Sequence, residues 1–159
     1  SGGSHYPQLD DTDKLAVSLY AKASAAGDEA VSNNADAAVL ASEADTVATR
    51  TSADQTNTNH RGMILHVNTA NKIGTTATYT PAVQAKFNDG SYATIWTAAA
   101  ALTNNGDYTY ILYPGASDGN VTEVDGVPIP RTWRGIITVG GTANASHNMD
   151  TLMDASLIL

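Results

Sequence analysis

The chain reads as an all-β protein: a β-sandwich or jelly roll over residues 46–159, carrying an extended N-terminal arm over residues 1–45. Three observations predict this. After residue 61, short apolar/polar alternations recur with turn residues every 10–15 positions, a spacing that suits a sandwich better than βαβ units. No stretch after residue 61 has the 3.6-residue period of an amphipathic helix. Composition also breaks near residue 60: the first sixty residues hold two aromatics, Tyr6 and Tyr20, and the remainder holds eight, both tryptophans among them. A core needs large apolar side chains, so the second part must supply most of it.

The arm has two candidate elements. Over residues 10–26, Asp11, Thr12 or Asp13 can cap a short helix, with Leu15, Leu19 and Lys22 at helical spacing. Leu15, Val17 and Leu19 equally fit one face of a strand. Both periods fit, and Gly27 ends either one. Residues 34–48 are rich in alanine and read as weakly helical, or as a linker without regular structure. Residues 46–52 read as a short threonine-rich strand.

In the body, Met63, Leu65 and Val67 alternate with Ile64, His66 and Asn68, which is a half-buried strand. Gly74 lies in the turn after it. Residues 77–87 form a second strand, in which Pro81 calls for an edge or a bulge because it lacks an N–H. Asn88-Asp89-Gly90 is a hairpin turn, and residues 91–97 return from it. Asn104-Asn105-Gly106 makes another turn. The strand at 107–113 follows, with Tyr108 and Tyr110 on one face and Ile111 and Tyr113 on the other. Pro114-Gly115 ends it. Residues 115–130 form a long loop around a short strand near 121–124, residues 131–139 form a strand, and 146–159 supply one or two more. Six to eight strands result.

Charge narrows the function classes. The net charge is −8, and charged residues are only 15% of the chain, against a usual quarter or so. Residues 1–60 hold nine acidic and three basic side chains; residues 61–159 hold seven and five. Such a chain repels a phosphate backbone or an anionic membrane, so neither nucleic acid nor membrane is expected as a partner. Without cysteine there is no disulfide, thiolate nucleophile or cysteine zinc site. No apolar run reaches the length of a membrane span. Ser1-Gly2-Gly3-Ser4 lacks the layout of a signal peptide and reads as an appended or processed end.

No catalytic pattern emerges. The chain has no Gly-rich phosphate loop, no HExxH and no G-x-S-x-G elbow, and His5, His60, His66 and His147 are scattered. His66 reads as a half-exposed strand residue rather than a ligand or base. Asp10, Asp11 and Asp13 read as a helix start or a solvated arm rather than a cation site. Asp118, Glu123 and Asp125 flank the long loop without a spacing that would pair them for glycoside hydrolysis. Neither enzyme activity nor a cofactor or metal is expected. In Val127–Arg134 two prolines stiffen the entry to a strand, Trp133 fills the core, and Arg131 and Arg134 lie outside, where they offer a contact surface to an acidic partner.

Three stretches together resemble a known group. They are Ser52–Asn57 running into Arg61–Val67, the strand Tyr108–Tyr113 closed by Pro114-Gly115, and Pro130–Arg134 followed by Ile136–Gly141, with a final strand ending Ala155–Leu159. In these the chain resembles small virion structural proteins of tailed bacteriophages, most nearly the capsid decoration, or cement, proteins. The resemblance spans residues 46–159. It implies a jelly-roll or sandwich body, a homotrimer, the major capsid protein as partner, a place on the outer capsid surface of the virion, and no catalytic site. The arm would then order on docking, with Tyr6, Leu9, Leu15, Val17, Leu19 and Tyr20 as its apolar anchors. The alternative is a virion-displayed tail, fibre or glycan-binding adhesion module that uses Tyr92, Trp96 and Tyr108 as stacking faces, although core packing is the plainer role for these rings.

Overall fold

The structure is a computed structural model and describes residues 34–45, 49–117 and 121–159. The six arm anchors and the acidic trio Asp10, Asp11 and Asp13 lie outside the described residues, as does Asp118. Among the described residues every regular element is a strand. The strands are β1 (Asn34–Ala44), β2 (Arg50–Thr51), β3 (Gln55–Thr56), β4 (Gly62–Ile73), β5 (Ala77–Lys86), β6 (Tyr92–Thr97), β7 (Gly106–Leu112), β8 (Glu123–Asp125), β9 (Thr132–Gly141) and β10 (Asn148–Ile158).

They form two sheets. Sheet A runs β1-β10-β4-β7-β8, and sheet B runs β2-β9-β5-β6 with β3 also paired to β9. Neighbours are antiparallel except β7 and β8, which are parallel. One core lies between the sheets. Met63, Leu65, Val67 and Met153 of sheet A and Tyr79, Val83, Trp133 and Ile137 of sheet B are all fully enclosed in it. The all-β sandwich expected from the sequence is what the chain forms. The period-2 alternation at Met63–Asn68 has the predicted faces because side chains on a pleated strand point alternately to the two sides.

The turn at Asn88–Gly90 is also as expected. Gly90 takes φ +85°, a conformation open to glycine, and the Phe87 amide donates to Ser91 O at 2.9 Å. Pro81 does not sit on an edge strand, since β5 runs between β9 and β6. It is accommodated because β6 stops at Thr97; the Pro81 carbonyl accepts from Ala98 N at 2.9 Å just past that end. The expected irregularity follows as a register shift between Val83 and Gln84 against β6.

One segment departs from its sequence reading. Residues 34–44 are neither a helix nor a linker; they form β1, the edge of sheet A, paired with β10 from Asn34↔Ile158 to Ala44↔Asp150. Alanine has little intrinsic claim on a strand, and here the partner strand decides. A register break between Ala38 and Leu40 lets Val39 and Leu40 both enter the core. Of the expected strand at 46–52, residues 46–48 lie outside the described residues, and Arg50–Thr51 is strand.

Close approach of the two sheets is recorded at Gly135 on β9. A β-carbon there would lie 2.5 Å from Met153 Sδ and press into Val39 Cγ1, side chains of β10 and β1. Met153 can bend away; the β-branched Val39 cannot. Gly135→Ala is therefore expected to lower unfolding stability by about 1–3 kcal/mol. Urea titration should show an earlier midpoint at an unchanged slope.

Candidate functional site

Alternation turns a set of residues outward on sheet A, and register lines them up in rows. One row reads Asp36, Ser156, Ile64, Ile111, Val124 across all five strands. The next reads Ala38, Asp154, His66, Thr109. The third pairs Leu152, Asn68 and Asp107. A solvent-facing isoleucine is common by itself. Here Ile64, which is 37% exposed, stands directly opposite Ile111, which stands opposite Val124, so apolar surface continues across three strands outside the core.

Beside this row, β1, β10 and β4 enclose a shallow groove of about 420 Å³ with Asp36, Asp154, His66 and Ile64 around it. Polar contacts hold the rest of the face. Asp107 Oδ1 accepts from Asn68 Nδ2 at 2.7 Å and lies 3.2 Å from His66 Nε2. Hydrogen bonding by Asn68, and then by His66, holds the Asp107 carboxyl below its usual range. Asn71 Nδ2 donates to Asp150 Oδ2 at 2.6 Å. The His66 side chain is 41% exposed, the half-exposed strand position expected of it.

The outer face of sheet B is closed on itself. Arg134 stacks over the Tyr92 ring at 3.4 Å, and its Nε and Nη2 donate to Gln84 Oε1 at 2.9 and 2.8 Å. Tyr92 Oη donates to Asp54 Oδ1 at 2.7 Å, and Lys86 Nζ reaches Asp54 Oδ2 at 2.5 Å. Those two hydrogen bonds pull the Asp54 carboxyl below its ordinary value. The guanidinium of Arg134 is thus spent inside the chain. Arg131 is exposed ahead of β9, and its carbonyl accepts from Asn57 N at 2.7 Å.

Trp96, Tyr110 and Glu123 meet at the far end of the sandwich. Trp96 is 3% exposed, packs edge-on against Tyr110 at 5.0 Å, and donates Nε1 to Glu123 Oε1 at 3.1 Å. Glu123 Oε2 accepts from Ala99 N at 2.8 Å, so this carboxylate is engaged structurally rather than paired with Asp125. Burial, and then the Glu123 charge, push the Tyr110 hydroxyl up to about 12. Core packing is thus the role of Trp96. Tyr92 lies under Arg134, which leaves Tyr108 as the least occupied of the three aromatics considered for stacking; its hydroxyl donates to Asn104 O at 3.1 Å.

Where the chain crosses from β1 to β2 it buries an ion pair. The Asp45 side chain is 1% exposed, and its Oδ1 lies 3.1 Å from Arg50 Nη1. Thr151 Oγ1 donates to Asp45 Oδ2. Arg50 also donates to Thr151 O at 2.9 Å and to Ala41 O at 2.6 Å. The Asp45 carbonyl accepts from Tyr79 Oη at 2.8 Å. Sequence reasoning found neither this cluster nor the Ile64–Ile111–Val124 row. The row did leave a signal: Ile64 occupies the polar half of its own alternation, in company with His66 and Asn68.

Among the described residues, no group of three or more His, Cys, Asp and Glu side chains is placed to hold a metal ion. No protein family, curated protein or solved structure was found to match the chain.

Proposed function

We propose that the chain is a structural virion protein that binds the outer surface of a tailed-phage capsid and stabilises the shell by clamping neighbouring subunits. Its partners are the major capsid protein and further copies of itself in a homotrimer. The observation that carries this reading is the outward apolar row Ile64–Ile111–Val124 on a body otherwise poor in charge. Apolar surface continued across three strands on the solvent side of a sheet is what a contact surface offers and a free monomer has little use for. The resemblance over residues 46–159 points the same way. Three copies on one seam multiply a modest contact by avidity, on the order of 10²–10⁴-fold.

Glycan recognition by a displayed adhesion module is the weaker reading. Trp96 is enclosed and Tyr92 is covered, so two of its three stacking faces are occupied.

The test is to strip the protein from virions, heat them, and then restore either the full chain or residues 34–159. Truncation at residue 33 keeps β1, which a cut at residue 45 would remove from sheet A. Stripped shells should rupture at lower temperature, and the full chain should restore the parent value. The shorter chain should fold but occupy shells poorly. Unchanged rupture after stripping would sink the reading.

A further inference from the structure

We propose that the outer face of sheet A is the docking surface, and that it meets a protein surface presenting lysine or arginine side chains around an apolar anchor. This rests on the virion reading above and adds to it the face that docks and the chemistry of its partner. Two features of the face complement such a surface. The row Ile64, Ile111, Val124 supplies apolar contact in the middle. The groove beside it has Asp36 and Asp154 in its wall, and among the described residues neither carboxylate is in an ion pair.

Among the described lysines and arginines, Arg61 lies over the Tyr113 ring at 5.7 Å, Arg131 is exposed ahead of β9, and the other four are engaged by the chain's own groups. Arg50 serves Asp45, Lys86 serves Asp54, Arg134 serves Gln84, and Lys72 Nζ donates to Asn104 Oδ1 at 3.1 Å. With Asp107 and Asp150 also on this face, its field is negative. It repels nucleic acid and anionic lipid alike. Set against its own copy it would oppose like charges, which argues for a different protein as the occupant. On the outer face of sheet B, by contrast, Asp54, Lys86, Tyr92 and Arg134 satisfy one another.

The experiment measures binding of the full chain to shells of the encoding virus from which it has been stripped. Parent protein is compared with Ile64→Asp, with Asp36→Asn/Asp154→Asn, and with Thr94→Asp on the outer face of sheet B. Ile64→Asp should weaken binding about tenfold or more, as loss of a central apolar anchor does. The double asparagine variant is nearly isosteric at exposed or half-buried positions, so it keeps the fold. It should weaken binding several-fold and flatten the dependence on salt between about 0.05 and 0.5 M. Thr94→Asp should bind as the parent does. If the parent binds and the double variant matches it in affinity and salt dependence, the docking face is wrong and the virion reading stands. If the parent itself does not bind, both fall together.

Discussion

Arg50→Met will destabilise the sandwich by about 3–5 kcal/mol at neutral pH, the usual cost of leaving a buried charge without its counter-charge. Asp45 is 3% exposed and Arg50 is its cation, at 3.1 Å. Without the guanidinium, the carboxylate keeps only the Thr151 hydroxyl on Oδ2, and the Thr151 and Ala41 carbonyls lose a donor. Burial already raises the Asp45 carboxyl above its ordinary value, against the opposing pull of Thr151 and Arg50. Removing Arg50 lifts it further. A group whose folded value lies above its unfolded one favours folding when protonated. The deficit of the variant is therefore full above the folded value and shrinks as pH falls through it. Asp45→Asn/Arg50→Met should lose much less than the single variant, because no charge is then stranded. Urea unfolding at several pH values measures all three; a single variant within about 1 kcal/mol of the parent at pH 7 would contradict the account.

Trp133→Ala is expected to cost a further independent 3–5 kcal/mol or so. Trp133 is 0% exposed, on β9 between Gln55 of β3 and Ala85 of β5, and is the largest of the fully buried side chains among the described residues. The cavity cannot close readily, because strands pair on both sides of it and hold the backbone in place. The Trp133 Nε1–H is also buried without a partner among the described residues. An orphaned donor of this kind costs roughly 1–3 kcal/mol, so Trp133→Phe, which removes it along with some volume, should lose less than half as much as the alanine variant. Thermal and urea unfolding of both variants decides this. Equal losses would mean that the indole both variants lack, and not the cavity, sets the cost at this position, and would contradict this account.

These two variants and those of the outer face of sheet A act on different quantities. Arg50 and Trp133 change how much folded protein is present. Asp36, Asp154 and Ile64 change what the folded protein can hold. Melting and shell binding should therefore vary independently across the set.

The sequence by itself determined the strand content and its punctuation. The alternation at Met63–Asn68, the Asp89-Gly90 turn and the burial of Trp133 followed from period and turn chemistry, which are local properties of the chain. Tertiary structure alone decided the rest. Ala-rich residues 34–44 became a strand because β10 offered them a partner more than a hundred positions away. Asp45 and Arg50 became a buried pair because the chain changes sheets between them and Thr151 of β10 closes over both. Arg134 was drawn onto Tyr92 by the pairing of β9, β5 and β6. Ile64 gained its meaning only once register set Ile111 and Val124 beside it. Sequence encodes the face a residue takes along its own strand, whereas its neighbours across strands depend on register and on sheet order, which form only when distant segments meet.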